Sequence, residues 1–211
     1  MKYKAFSYIY PPRPANAIPI DNLPEYDNGS FLAQPKLNGS NCVFFMNETQ
    51  LFVMNRHAQR LTNFRIPTDE IRSLYSGSGW MVLNGEYLNK SKNDEAGQVF
   101  NHKLVIFDLL VYNSEYLVGS TFSDRVEMLD NLFSTKQYEK EYLYAISENV
   151  FRVKSYDQEF DTLFENITRR GTLIEGVVMK RKKARLEIGN SPNNNSKSQV
   201  KCRVATKNYK F

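Results

Sequence analysis

The segment Lys103–Tyr112, KLVIFDLLVY, constrains the fold more than any other part of the chain. It is apolar on both faces when extended, so as a strand it must be covered on both sides and belongs at the centre of a sheet. Other segments carry strand signals. Asn41–Met46 and Gln50–Asn55 flank the polar turn Asn47–Thr49 and read as a hairpin. Trp80–Leu88, Thr172–Arg181 and Gln199–Val204 read as further strands. Helical signals are fewer. Thr68 is set to cap a short helix over DEIRSLY, with Gly77 near its end. Ser123 can cap a second, with Val126, Leu129, Leu132 and Phe133 on its apolar face. In a third, Phe160, Leu163, Phe164 and Ile167 fall at i, i+3, i+4 and i+7, and Gly171 follows the end. Pro11–Pro19 reads as an extended lead-in and Gly189–Ser198 as a polar loop. Many strands with few helices predict an α+β domain built on antiparallel sheets. The 211 residues, without internal repeats, fit one domain with a sizeable core.

Several classes of chemistry are excluded. Cys42 and Cys202 give no disulfide framework and fit a reducing, cytoplasmic setting. No apolar run is long enough for a signal peptide or a membrane span. The two histidines, His57 and His102, lack metal-ligand spacing with each other or with a cysteine. A Ser-His-Asp or Cys-His mechanism has little to draw on, and there is no P-loop and no G-x-G-x-x-G after a strand. The formal net charge of +5 suits a polyanionic partner, or simply a lysine-rich solvated surface.

What remains is a set of Lys and Glu residues beside strand signals. Lys36 lies in AQPKLNGSN, where Pro35 holds Gln34 extended and Gly39 and Ser40 open the hairpin. Glu86 comes near the end of its strand. Glu175 and Lys180 are five apart and would point to opposite faces of a strand unless a bulge intervenes. Lys201 and Arg203 alternate by two and share a face. The basic run KRKKAR, Lys180–Arg185, could meet nucleic-acid phosphates, although such runs are commonly plain solvated surface. Taken singly, each of these is an ordinary strand-end residue.

As an ordered series they resemble the covalent nucleotidyltransferase superfamily, which contains ATP-dependent DNA ligases, RNA ligases and mRNA capping enzymes. KLNG at Lys36–Gly39 matches the first motif, K-x-D/N/H-G, whose lysine is the nucleophile. NRHAQRL (Asn55–Leu61), NGE (Asn84–Glu86), VIFDLL (Val105–Leu110), EGVVMK (Glu175–Lys180) and VKCR (Val200–Arg203) follow in the family's order. Asn38 and Asn84 stand where Asp is usual, and Arg203 replaces the second lysine of K-x-K. The wording KLNGSN leans towards the RNA-ligase branch, including the RNA-editing ligases. The resemblance implies a ligase adenylation domain: two antiparallel β-sheets with flanking helices around a nucleotide-binding cleft. With the sequence ending eight residues after Arg203, residues 1–211 are expected to be a single such domain without a C-terminal OB-fold domain, that function falling to a separate protein or domain. A monomer is expected.

The resemblance also assigns roles. Lys36 would form lysyl-AMP from ATP, and AMP would pass to a 5′-phosphate that a 3′-hydroxyl then seals, on a nicked duplex or RNA ends. Attack needs a neutral amine, whereas a free lysine is almost wholly protonated at pH 7. Lys180, Lys201 and Arg203 would supply nearby positive charge and offset phosphate charge. Glu175 and Glu86 would hold Mg²⁺ or Mn²⁺ through oxygen. Arg56 would contact the ribose or phosphate, Phe107 would stack on the base or be plain core, and Gln34 could read the adenine edge. Two other readings remain open: a GTP-dependent capping-type guanylyltransferase, and a non-catalytic nucleic-acid-binding module of the same fold.

Overall fold

Twelve strands in two sheets, with three α-helices, make up the described residues of the computed structural model, which are 1–94, 96–134, 138–139, 141–169 and 171–204. The smaller sheet has the order β1-β12-β11-β2, with β1 Arg13–Ile18, β2 Phe31–Leu37, β11 Ile174–Arg181 and β12 Asn195–Arg203. The larger has the order β4-β3-β5-β6-β10-β9-β8, with β7 paired to β6. Its strands are β3 Ser40–Met46, β4 Leu51–Asn55, β5 Met81–Leu88, β6 Lys103–Tyr112, β7 Glu115–Tyr116, β8 Tyr138–Glu139, β9 Leu143–Ala145 and β10 Val150–Val153. The helices are α1 Thr68–Arg72, α2 Phe122–Phe133 and α3 Phe160–Arg169. The fold is α+β as expected. Each sheet is mainly antiparallel but holds one parallel pair, β1 with β12 and β6 with β10, so both sheets are mixed.

The burial of β6 explains its composition. Leu104, Ile106 and Leu109 lie in one core with Phe44, Leu83 and Tyr87, under Ile71 of α1 and Leu129 and Phe133 of α2. Leu110 and Val111 face the opposite core with Val43, Phe45 and Val82, under Tyr3, Ile9 and Trp80. A third core joins the two sheets. Phe160, Leu163, Phe164 and Ile167, the stripe predicted for α3, pack with Val177 and Met179 of β11, Val200 and Cys202 of β12, and Val105, Phe151 and Val153 of the larger sheet. From Gly176 onward Val177 and Met179 of β11 face this core, which leaves Gly176, Val178 and Lys180 for the opposite face; before the irregularity at Glu175 it is Ile174 that joins the core.

Three boundaries differ from expectation. Thr68 is the first residue of α1, preceded by Pro67 at the cap, and no side chain caps that short helix. Thr121, not Ser123, caps α2, because Thr121 and Asp124 form a reciprocal capping box: Thr121 Oγ1 accepts from Asp124 N at 3.2 Å, and Asp124 Oδ2 accepts from Thr121 N at 2.8 Å. β12 starts at Asn195, inside the predicted loop Gly189–Ser198, because β1 offers it a parallel partner, with Arg13 opposite Asn195 and Pro14 opposite Ser196. β1 itself lies in the Pro-rich lead-in. No helix among the described residues is long and apolar enough to cross a membrane. Cys42 and Cys202 are free and buried.

Candidate active site

The floor of the site is one face of the smaller sheet, built in rows. In the first row Lys36 of β2 and Arg203 of β12 both pair with Gly176 of β11. Gly176 has φ +151°, and a Cβ there would lie 2.1 Å from the carbonyl oxygen of Cys202. Only glycine lets the strands approach so closely at this point. Glu175 is the extra residue in the β11–β2 register, between the pairs Ile174–Leu37 and Gly176–Lys36. That bulge resolves the alternation problem of the EGVVMK segment, because it takes Glu175 out of strict phase with Lys180. Lys36 Nζ donates to Glu175 Oε1, and Arg203 Nη1 stands 3.9 Å from the same oxygen.

The second row is Gln34, Val178 and Lys201, and the third includes Lys180 and Gln199. Across from the floor stands the larger sheet. Asn41 Nδ2 donates to Asn84 Oδ1 at 3.0 Å and to the Gly85 carbonyl at 3.2 Å. Asn41 pairs with Glu86 on the neighbouring strand. Phe107 falls between the pairs Ile106–Gly85 and Asp108–Asn84, and this second bulge sets it on the cleft wall, partly buried and packed against the core between the sheets. Beside that bulge Asp108 forms a buried bidentate pair with Arg125 of α2, Nε at 2.8 Å and Nη2 at 3.1 Å. This pair ties α2 to β6 where the ring is presented. Arg56 leaves a turn after β4 in which Asn55 Oδ1 accepts from His57 N at 2.8 Å and Gln59 N at 3.1 Å.

Between the sheets runs a cleft of about 740 Å³. Gln34, Lys36, Gly39, Arg56, Glu86, Phe107, Lys180 and Lys201 all line it. Glu175 and Arg203 are not on its wall; they back Lys36 from the first row. Gly39 has to be glycine for packing: a Cβ would come within 2.6 Å of the Tyr87 carbonyl and 2.9 Å of the Glu86 side chain. Burial raises the Glu86 carboxyl from 4.5 to about 7; Lys36 opposes the rise and Glu175 adds to it.

Lys180 is where the arrangement departs most from expectation. It lies four residues along β11 from Gly176, roughly 13 Å from the Lys36 row at ~3.3 Å per residue. Its ammonium instead sits 4.8 Å from the centroid of Phe107 and 4.7 Å from that of Phe122. Burial lowers its pKa to about 8, with Asp108 acting to raise it and Arg125 to lower it. The direct partner of Lys36 is a carboxylate, not a cation. Sequence reasoning missed Asn41, Arg13, Asn195 and Gln199 on the cleft wall, which Asn84 of the NGE motif also lines. Gln199 was open to discovery, since it continues the alternation of Lys201 and Arg203; Arg13 was not, since its parallel pairing is non-local.

Among the described residues, no group of three or more His, Cys, Asp and Glu side chains is arranged to hold a metal ion. Glu86 and Glu175 offer a pair of carboxylates near Lys36, close enough for the charge of one to raise the proton affinity of the other.

A family model described as the ATP dependent DNA ligase domain matches residues 15–198. No curated protein sequence matches. Among solved structures the chain resembles a mycobacterial DNA ligase D complexed with ATP and MES, at TM-score 0.58 and 17% identity, covering 82% of this chain and 55% of that one. It also resembles the ligase domain of M. tuberculosis LigD, at TM-score 0.62 and 16% identity, covering 94% and 61%. A Lig E DNA ligase gives TM-score 0.59 and 15% identity, covering 93% and 70%. At these identities the likeness is one of fold. The chain spans 55% and 61% of the length of the first two. Two of the three are described as DNA ligases and none as an RNA ligase, so the lean towards the RNA-ligase branch has no counterpart among them.

Proposed function

The chain belongs to the ATP-dependent DNA ligase domain family, within the covalent nucleotidyltransferases, and on that premise we propose that it is an ATP-dependent polynucleotide ligase carrying AMP on Lys36. The reading rests on one observation above all: Lys36 Nζ, on the wall of the cleft, is held by Glu175 with Arg203 alongside. In the step proposed, Nζ attacks the α-phosphorus of ATP, the new N–P bond replaces the bond to the bridging oxygen, and pyrophosphate leaves. Glu175 Oε1, already bonded to Nζ, takes the proton. Lys201 and Arg203 offset charge on the phosphates. Arg56 holds the ribose or a phosphate. At the other end of the cleft Phe107, steadied by Lys180 beneath it, stacks on the base, and Gln34 reads its edge.

A divalent cation, Mg²⁺ or Mn²⁺, fits the donor set of Glu86 and Glu175, with the charge of Glu175 adding to the rise at Glu86. Bound there it would neutralise phosphate charge. The substrate favoured is a nick in duplex DNA, from the family, with RNA ends as the alternative favoured by the KLNGSN wording. The free thiols of Cys42 and Cys202 suit a reducing cytoplasm.

Intact mass after incubation with ATP and Mg²⁺ tests the first step. We expect a gain of one AMP, abolished in Lys36→Ala. A gain with GTP alone would favour the capping-type reading, and no gain with either nucleotide would favour a non-catalytic module. Sealing of nicked DNA, nicked RNA and hybrids by the adenylylated protein then assigns the substrate.

A further inference from the structure

We infer that Ser155 is a specificity-determining positioning residue: it fixes the order in which the Gln34 amide faces the base, and so sets the preference for ATP over GTP. This rests on the reading of the cleft as a nucleotide site. Gln34 is 3% exposed and lines the cleft. Its Nε2 donates to Ser155 Oγ at 3.0 Å, while its Oε1 is buried without a hydrogen-bond partner. A buried acceptor without a partner, on a side chain that lines the cleft, is a strong recognition element once a ligand draws it into contact, because a ligand that cannot satisfy it leaves the desolvation cost uncompensated.

Ser155 is held in place from outside the cleft. It follows β10 of the larger sheet, on a segment that crosses to the smaller sheet. There Ala33 N donates to the Tyr156 carbonyl at 2.8 Å, and Tyr156 N donates to the Ala33 carbonyl at 2.9 Å. Each partner of the Gln34–Ser155 bond is thus one residue from a doubly bonded bridge.

The chemistry of the bond selects the purine. An amide has one acceptor oxygen and two N–H donors. With one N–H given to Ser155, the amide keeps the free oxygen and one N–H for a ligand. An acceptor beside a donor complements the 6-amino group and N1 of adenine. Guanine presents the reverse order, an oxygen at position 6 and an N–H at position 1. Accepting guanine requires the amide to turn over, so that Oε1 faces Ser155 and the serine hydroxyl reverses its role from acceptor to donor. The side chain at 155 therefore biases the turnover, although it makes no contact with the base.

The test is covalent labelling of Lys36 by ATP and by GTP, followed by intact mass, in the wild type, Ser155→Ala, Ser155→Thr and Gln34→Ala. Ser155→Ala is expected to lower the ratio of ATP to GTP labelling rates about tenfold, the scale of one buried unsatisfied group, and Ser155→Thr, which keeps the hydroxyl, to restore it. Gln34→Ala is expected to lower the same ratio at least as far. A purely structural role for Ser155 would slow both nucleotides together and leave the ratio alone; that result overturns the inference while the lysyl-nucleotide reading stands. Failure of the wild type to take up either nucleotide overturns the nucleotide reading, and this inference with it.

Discussion

At the scale of single residues, Glu86 carries the clearest pH signature. Its carboxyl is raised from 4.5 to about 7, chiefly by burial. The folded chain then binds this proton more tightly than the unfolded chain does. The stability it contributes is complete below about 4.5 and is lost as pH rises through about 7. Glu86→Gln is expected to flatten the fall in stability between those pH values, by on the order of 1–3 kcal/mol, as read from denaturant melts across pH; an unchanged slope would show that Glu86 is not the group responsible. The residues that reach the Lys36 row were legible because their motifs stand in one order along the chain. Asn84 was visible as the first residue of NGE, but Asn41 was not, since it carries no signal of its own and its bond to Asn84 joins residues 43 apart. Ser155 was equally hidden, 121 residues from Gln34. Lys180 was legible as a cleft residue from its motif, but its neighbours Phe107 and Phe122 were not, because spacing along a strand says which face a side chain takes and nothing about which neighbour it meets.

At the scale of elements, the two bulges are what convert regular strands into a site. One frees Glu175 beside Lys36, the other sets Phe107 on the cleft wall in a strand that is otherwise core. Gly176→Ala tests the first. Its Cβ would lie 2.1 Å from the Cys202 carbonyl at a φ of +151°, so β12 must shift away from β11. The expected loss is more than about 2 kcal/mol of stability by denaturant melt, with lysyl-AMP formation falling as Arg203 is displaced from Lys36. A variant with wild-type stability and labelling would refute the account of this row. Strand and helix existence were legible throughout: β6 spans the predicted residues, and all four members of the α3 stripe are buried. What failed were ends that depend on distant partners. β12 starts early because β1 reaches it from 182 positions away, and no local pattern in Gly189–Ser198 announces that. The α2 cap, by contrast, was written locally as Thr121-x-x-Asp124, and the more obvious serine was chosen instead.

At the scale of the whole molecule, two mixed sheets share a core on one side and part on the other, and the charge of +5 accompanies an opening lined by Arg13, Arg56, Lys180 and Lys201. Binding to nicked duplex is expected to weaken linearly on a log–log plot against salt, with a slope of about −0.9 for each phosphate neutralised. Titration by fluorescence anisotropy at several salt concentrations measures it, and a slope near zero would exclude a phosphate-tracking surface. The Ala33–Tyr156 bridge has a mechanical corollary. Together with the two-residue step from β2 to β3 beside Lys36, it ties the smaller sheet to the larger on both sides of Gln34, so the wall that carries Gln34 and Lys36 is held at two points. Amide exchange at Ala33 and Tyr156 should accordingly be among the slowest along the cleft.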